Sequence, residues 1–159
     1  MKSTVSTLAL FVILLLHQAV AAEVGDGDGF RFGTERIRLW GIDAPELDQE
    51  CKRDRVAYRC GEQARTALKG LLAAGNVRCE AIDRDRDRRT VARCSVDGRD
   101  LGAEMVRLGW AVDFPRYSHG FYEAEEQEAR RAKRGLWAGE FISPSEWRRG
   151  HKGWHTRQP

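Results

Sequence analysis

Apolar and polar residues alternate on both sides of a glycine turn: Phe30 and Phe32 precede Gly33-Thr34-Glu35, and Ile37 and Leu39 follow it. A period of two around such a turn predicts a β-hairpin centred near Thr34. In that register Asp28 lies beside Leu39 and Trp40, next to the strand that carries Arg38 and leads to Asp43. Pro45 denies Ala44 the helical region, so the backbone at Asp43-Ala44 is extended or turning, with carbonyls free to face a ligand. From Leu47 to Cys60 the chain is polar and irregular and reads as a loop. The spacing then becomes helical from Gly61 to Ala74, through Ala64, Leu68, Leu71 and Leu72, and Gly75-Asn76 stops it. Val77, Cys79 and Ala81 alternate with Arg78 and Glu80, and Val91 to Val96 supplies a second strand, giving a hairpin with the charged tip 83–88. After the Asp97-Gly98 turn, Leu101, Met105 and Leu108 predict a short helix ending at Gly109. Tyr122 to Leu136 predicts a charged helix with a narrow stripe of Ala129, Ala132 and Leu136. Trp40, Trp110 and Trp137 are expected in the core or capping it.

Strands, one inserted helix, a further hairpin and then helices define an α+β fold. The arrangement expected is a five-stranded antiparallel OB-type Greek-key barrel with about three packed helices, an architecture that often binds oligonucleotides. Fold alone does not establish function. At 159 residues the chain has room for one domain with a real core. Its first 21 residues have the form of a secretory signal: Lys2, an apolar run from Leu8 to Leu16, and small residues at Ala19-Val20-Ala21-Ala22. The expected division is therefore a signal at 1–21, a domain at 22–142 and a basic tail at 143–159 that includes Arg148, Arg149, Lys152 and Arg157.

Cutting after Ala21 removes Lys2 and lowers the formal net charge from +3 to +2, so the protein is not strongly basic. Charged residues make up 32% of the chain, which leaves room for a basic face but does not require one. Cys51, Cys60, Cys79 and Cys94 form an even set in a chain with an export signal, favouring two disulfides and a secreted or periplasmic location. Of three possible pairings, Cys51–Cys60 across the polar loop and Cys79–Cys94 across the hairpin are the local ones. Zinc is disfavoured because no CxxC pair occurs and His119, His151 and His155 lie far downstream.

The densest chemistry lies in Arg38-Leu39-Trp40-Gly41-Ile42-Asp43-Ala44-Pro45-Glu46, preceded by Asp26-Gly27-Asp28-Gly29. Carboxylate oxygens suit a hard cation and guanidinium suits a phosphate, so the pairing points to phosphodiester chemistry. Asp26 reads as an Asx-type turn supporting the hairpin. These segments, with Asp85 to Arg89, Thr90-Val91-Ala92 and Met105 to Ala111, resemble the thermonuclease, or staphylococcal-nuclease-like, family over most of residues 24–142. The resemblance implies an OB-fold nuclease that uses Ca²⁺ to cleave DNA or RNA, here expected to act as a monomer. It implies metal binding by the Asp28 and Asp43 carboxylates and the Ala44 carbonyl, and Glu46 as general base. Arg38 and Arg89 would hold the phosphate and stabilise the phosphorane, with Arg88 and Tyr117 touching substrate.

The chain departs from the family pattern at Gly29, where a threonine is usual, and at Asp87-Arg88, where an aromatic-glycine pair is usual. Gly102 replaces a helix asparagine and Pro115 one of two stacking tyrosines. Tyr117, the other, either stacks on a base or covers the barrel edge. The alternative reading is a non-catalytic exported module that binds nucleic acid or another polyanion through the same barrel.

Overall fold

Strand alternation on either side of Gly33 produces the hairpin that organises the rest of the chain. A computed structural model describes residues 22–150, so the expected signal at 1–21 and the last basic residues, Lys152 and Arg157, lie outside the described residues. The strands are β1 (Glu23–Val24), β2 (Gly29–Phe32), β3 (Glu35–Leu39), β4 (Ile42–Asp43), β5 (Cys51–Arg53) and β6 (Val56–Tyr58). After helix α1 (Cys60–Leu72) come β7 (Val77–Arg84), β8 (Thr90–Val96) and β9 (Arg99–Asp100), then α2 (Leu101–Arg107) and β10 (Val112–Asp113). The chain continues through α3 (Pro115–Ser118), α4 (Glu123–Arg131), a 3₁₀ turn at Gly135–Ala138 and α5 (Pro144–Arg148).

β2 and β3 pair with Gly29 opposite Arg38 and Phe30 opposite Ile37, and the Leu39 N–H donates to the Asp28 carbonyl at 2.8 Å. Asp28 thus lies where the alternation puts it. The main sheet runs β1-β2-β3-β8-β7, with β9 on β8. β3 and β8 are parallel, while the other pairings in this sheet are antiparallel. The α+β class and OB-type arrangement hold, but the sheet is mixed and open: α1 and β7 intervene between β3 and β8, and the crossover brings β8 back in the same direction. Among the described residues, five helices and a 3₁₀ turn replace the three expected. Among the described residues no helix is long and apolar enough to cross a membrane.

Phe30, Ile37 and Leu39 from the first hairpin meet Leu68 and Leu72 of α1, Ala92 and Val96 of β8, and Leu101, Met105 and Val106 of α2. Each large side chain buried there contributes roughly 1.5–3 kcal/mol. Trp40 and Trp110 pack against this core, and Trp137 stands edge-on to Phe141 with ring centroids 4.9 Å apart.

Two segments differ from the sequence reading. The polar stretch after Leu47 is a hairpin, with Asp54 and Arg55 both at positive φ, 51° and 66°, in the tight turn between β5 and β6. The Tyr122–Leu136 helix stops at Arg131, because Lys133 turns left-handed at φ 51° and the chain breaks into the 3₁₀ turn. Leu136 is consequently buried against Cys51 and Cys60. Both local disulfides are formed, Cys51–Cys60 and Cys79–Cys94, the latter joining directly opposed residues of β7 and β8.

Candidate functional site

Close backbone approach brings the two acidic segments together. A Cβ on Gly27 would lie 2.7 Å from the Cβ atoms of both Ala44 and Ala64, so only glycine lets this turn pack against the loop after β4 and against α1. Gly61 plays the same part under Glu46, where a Cβ would stand 1.8 Å from the Glu46 carbonyl oxygen. Asp28 and Asp43 are buried at 5% and 1% exposure, and the Ala44 N–H donates to Asp28 Oδ2 at 3.3 Å. β10 fixes Asp43 from the other side, pairing it with Val112. Between the two acids, Arg38 Nη2 lies 3.7 Å from Asp28 Oδ2 and 3.6 Å from Asp43 Oδ1.

Arg89 is positioned by the tip of the second hairpin. Asp85 Oδ1 accepts from the N–H groups of Asp87 and Arg89, each at 2.9 Å, and Asp85 Oδ2 accepts from Arg89 Nε at 2.7 Å. Burial acts against the Asp85 carboxylate, but its bonds to Arg89 outweigh that and hold its pKa below the usual range. Arg89 also feels the charges of Asp28 and Asp26. Its neighbour Arg88 occupies the left-handed turn position at φ 61° and is exposed. The geometry therefore separates the two arginines: Arg89 is held by Asp85 on the wall of a concavity shared with Asp26, whereas Arg88 forms the turn.

Glu46 joins the cluster through a residue that sequence reasoning missed. Arg148, at the end of α5, sets Nη1 2.8 Å from Asp43 Oδ1 and Nη2 3.0 Å from Asp43 Oδ2. The same Nη1 donates to Glu46 Oε1 at 2.8 Å. Gln49, wholly buried, fixes the spacing: its Oε1 accepts from the Glu46 N–H at 3.3 Å and its Nε2 donates to the Ile142 carbonyl at 2.8 Å, just before α5. The basic composition of the tail was the available signal. Nothing local told that its arginine folds back onto acids a hundred residues earlier.

Protonation follows from this crowding. Burial pushes Asp43 up to about 6, with Asp28 adding to the effect while Arg148 and Arg38 hold it down. Arg148 is raised above its usual value: burial opposes its charge, but the bonds to Asp43 and Glu46 win. The upward shift of Asp43 works against its charge and that of Arg148 favours it, yet a value near 6 still leaves Asp43 largely ionised at neutral pH beside the guanidinium. Asp26 is pushed up to about 7, first by burial and then by Asp28 and Glu46, so it belongs to the same electrostatic cluster. It also makes the expected turn contact, accepting from the Asp28 N–H at 3.4 Å.

Among the described residues no three His, Cys, Asp or Glu side chains form a ready metal cage. What the cluster offers is two buried carboxylates, Asp28 and Asp43, oxygen donors of the kind a hard cation takes. Tyr117 stands apart on α3, 53% exposed and edge-on to Phe114. A concavity of about 240 Å³ has Asp26 and Arg89 on its wall, while a larger one of about 710 Å³, lined by Phe32, Ile37, Val77 and Ile82, includes none of the acidic cluster.

One departure from the pattern has a steric reason: a Cβ at Gly102 would meet the Tyr122 hydroxyl, itself bonded to Asp100, at 2.7 Å.

The family model described as "Staphylococcal nuclease homologue" matches residues 36–139. The chain is 38% identical to the succinoglycan biosynthesis protein ExoI of Rhizobium meliloti, over 80% of this chain and 72% of that one. It is 34% identical to an uncharacterized endonuclease of Haemophilus influenzae, over 82% and 72%. The probable staphylococcal-like nuclease CAN2 of Oryza sativa shares 35% identity over 74% of this chain but only 30% of its own length. The matched span contains Arg38, Asp43, Glu46 and Arg89, and the chain belongs to the family of staphylococcal nuclease homologues.

Proposed function

We propose that this protein is a metal-dependent nuclease that hydrolyses phosphodiester bonds of DNA, RNA or both, with Ca²⁺ as its ion. One observation carries the reading: Arg38 lies within 4 Å of both Asp28 and Asp43, so a cation suited to phosphate and two carboxylates suited to a metal belong to one cluster. Relatives named endonuclease and nuclease support it. Ca²⁺ held by Asp28, Asp43 and the Ala44 carbonyl would polarise the phosphate and offset charge gathering on its oxygens. Arg38 and Arg89 orient the same phosphate and meet the negative charge of the transition state, where preorganised donors accelerate and ground-state binding does not. Glu46 takes the proton of the attacking water as the water oxygen bonds to phosphorus, and the ester P–O bond breaks with the leaving oxygen taking a proton from solvent. Arg88 and Tyr117 contact the nucleic acid outside the reacting centre. The two disulfides fit an oxidising compartment and support a secreted or periplasmic setting.

Digestion of defined single-stranded and duplex substrates tests this. Turnover requires Ca²⁺, stops with a chelator, and falls by about 10²-fold or more in Glu46→Gln and in Arg38→Ala. Full activity in either variant removes that residue from the mechanism. Salt-sensitive binding without turnover in any divalent ion marks a binding module instead.

A further inference from the structure

Arg148 meets the acidic cluster as a cation would. Its fork caps both oxygens of Asp43, at 2.8 and 3.0 Å, and one of its nitrogens also holds Glu46 at 2.8 Å. Asp43 is almost fully buried, whereas the Arg148 side chain keeps 35% of its exposure, so the guanidinium closes the cluster from the solvent side. The contact is built into the fold at both ends. Gln49 ties the Glu46 backbone to the Ile142 carbonyl, Ile142 and Pro144 are buried, and Ser143 caps α5 by accepting from the Glu146 N–H.

We propose that Arg148 is a self-supplied plug: its guanidinium competes with a divalent ion for Asp43 and occupies Glu46, so ion binding and undocking of α5 are coupled. This rests on the metal-site reading above. A divalent ion within bonding distance of an Asp43 oxygen sits a few ångströms from a fixed positive charge, and two cations sharing one carboxylate repel. The docked plug also holds a donor on Glu46, the group expected to accept a proton. A ligand favouring one of two states shifts the balance by its differential affinity, and the coupling is reciprocal. An ion that favours the undocked state therefore loosens α5, and removing the guanidinium tightens the ion.

Calorimetric titration of the protein with Ca²⁺ at low salt tests this, with Asp43→Asn as the blank and hydrogen exchange of residues 143–149 followed with and without the ion. Arg148→Gln is expected to bind Ca²⁺ about fivefold tighter or more. Ser143→Ala, which loosens α5 and leaves the guanidinium in place, shifts affinity the same way by less. In the wild type, Ca²⁺ speeds exchange of the α5 amides. Equal or weaker binding by Arg148→Gln, or α5 exchange that Ca²⁺ leaves unchanged, overturns the plug while the metal site stands. Absence of Ca²⁺ binding by both wild type and Arg148→Gln overturns the metal site, and the plug with it. Tighter binding by Arg148→Gln in a protein that digests no nucleic acid upholds the plug and sinks the nuclease.

Discussion

Asp85 carries none of the proposed chemistry, yet it decides where Arg89 points. Its two oxygens serve both the turn backbone and the Arg89 side chain, so truncation loosens the hairpin tip and the guanidinium together. Asp85→Ala is expected to lower turnover by on the order of ten- to a hundredfold while leaving metal affinity unchanged, a separation read by kinetics beside calorimetry. Asp26 and Asp43 make a second prediction. Both hold a proton more tightly in the folded protein, near 7 and 6, than the 3.8 of an unconstrained aspartate. Their contribution to stability is therefore present below about pH 4 and is lost as the pH rises through 6 to 7. In metal-free urea titrations the wild type loses stability across that window, and Asp26→Asn flattens the loss. The adjacency of Asp28 to β3 was legible, because a period of two and a turn fix the register. The place of Arg148 was not, since a contact spanning 105 residues leaves no trace in local spacing.

The hairpin of β5 and β6 hid among charged residues. Its turn uses Asp54 and Arg55 at positive φ in place of the usual glycine, and its strands are three residues each, too short to display a period. The pair of cysteines at its base shows that the segment closes on itself, but not that it pairs as strands. The disulfide there is wholly buried against Leu136 and fixes the start of α1, whose Gly61 supports Glu46. The double variant Cys51→Ala/Cys60→Ala is expected to lose roughly 2–4 kcal/mol in urea unfolding. Its digestion rate should fall further than that of Cys79→Ala/Cys94→Ala, because only the first bridge braces the Glu46 loop. The end of α4 was misread for a related reason: Lys133 adopts a left-handed turn that its side chain does not advertise.

For the molecule as a whole, the α+β class followed from the order of strand and helix signals, whereas the parallel pairing of β3 and β8 depends on how the crossover packs. That pairing matters, because it brings the Arg89 end of β8 beside Ile37 and Arg38. A ligand bound only by the folded state stabilises it by mass action, so Ca²⁺ at about a hundred times its dissociation constant should add about 2.7 kcal/mol. A chelator should return the unfolding midpoint to its metal-free value. The span between Asp43 and Arg148 also bears on biosynthesis. While the ribosome is still adding α5, the strands and glycines that gather the acids have already been made. The nascent chain thus passes through a stage in which Asp43 and Arg38 have been made but the second cation on Asp43, Arg148, has yet to be translated.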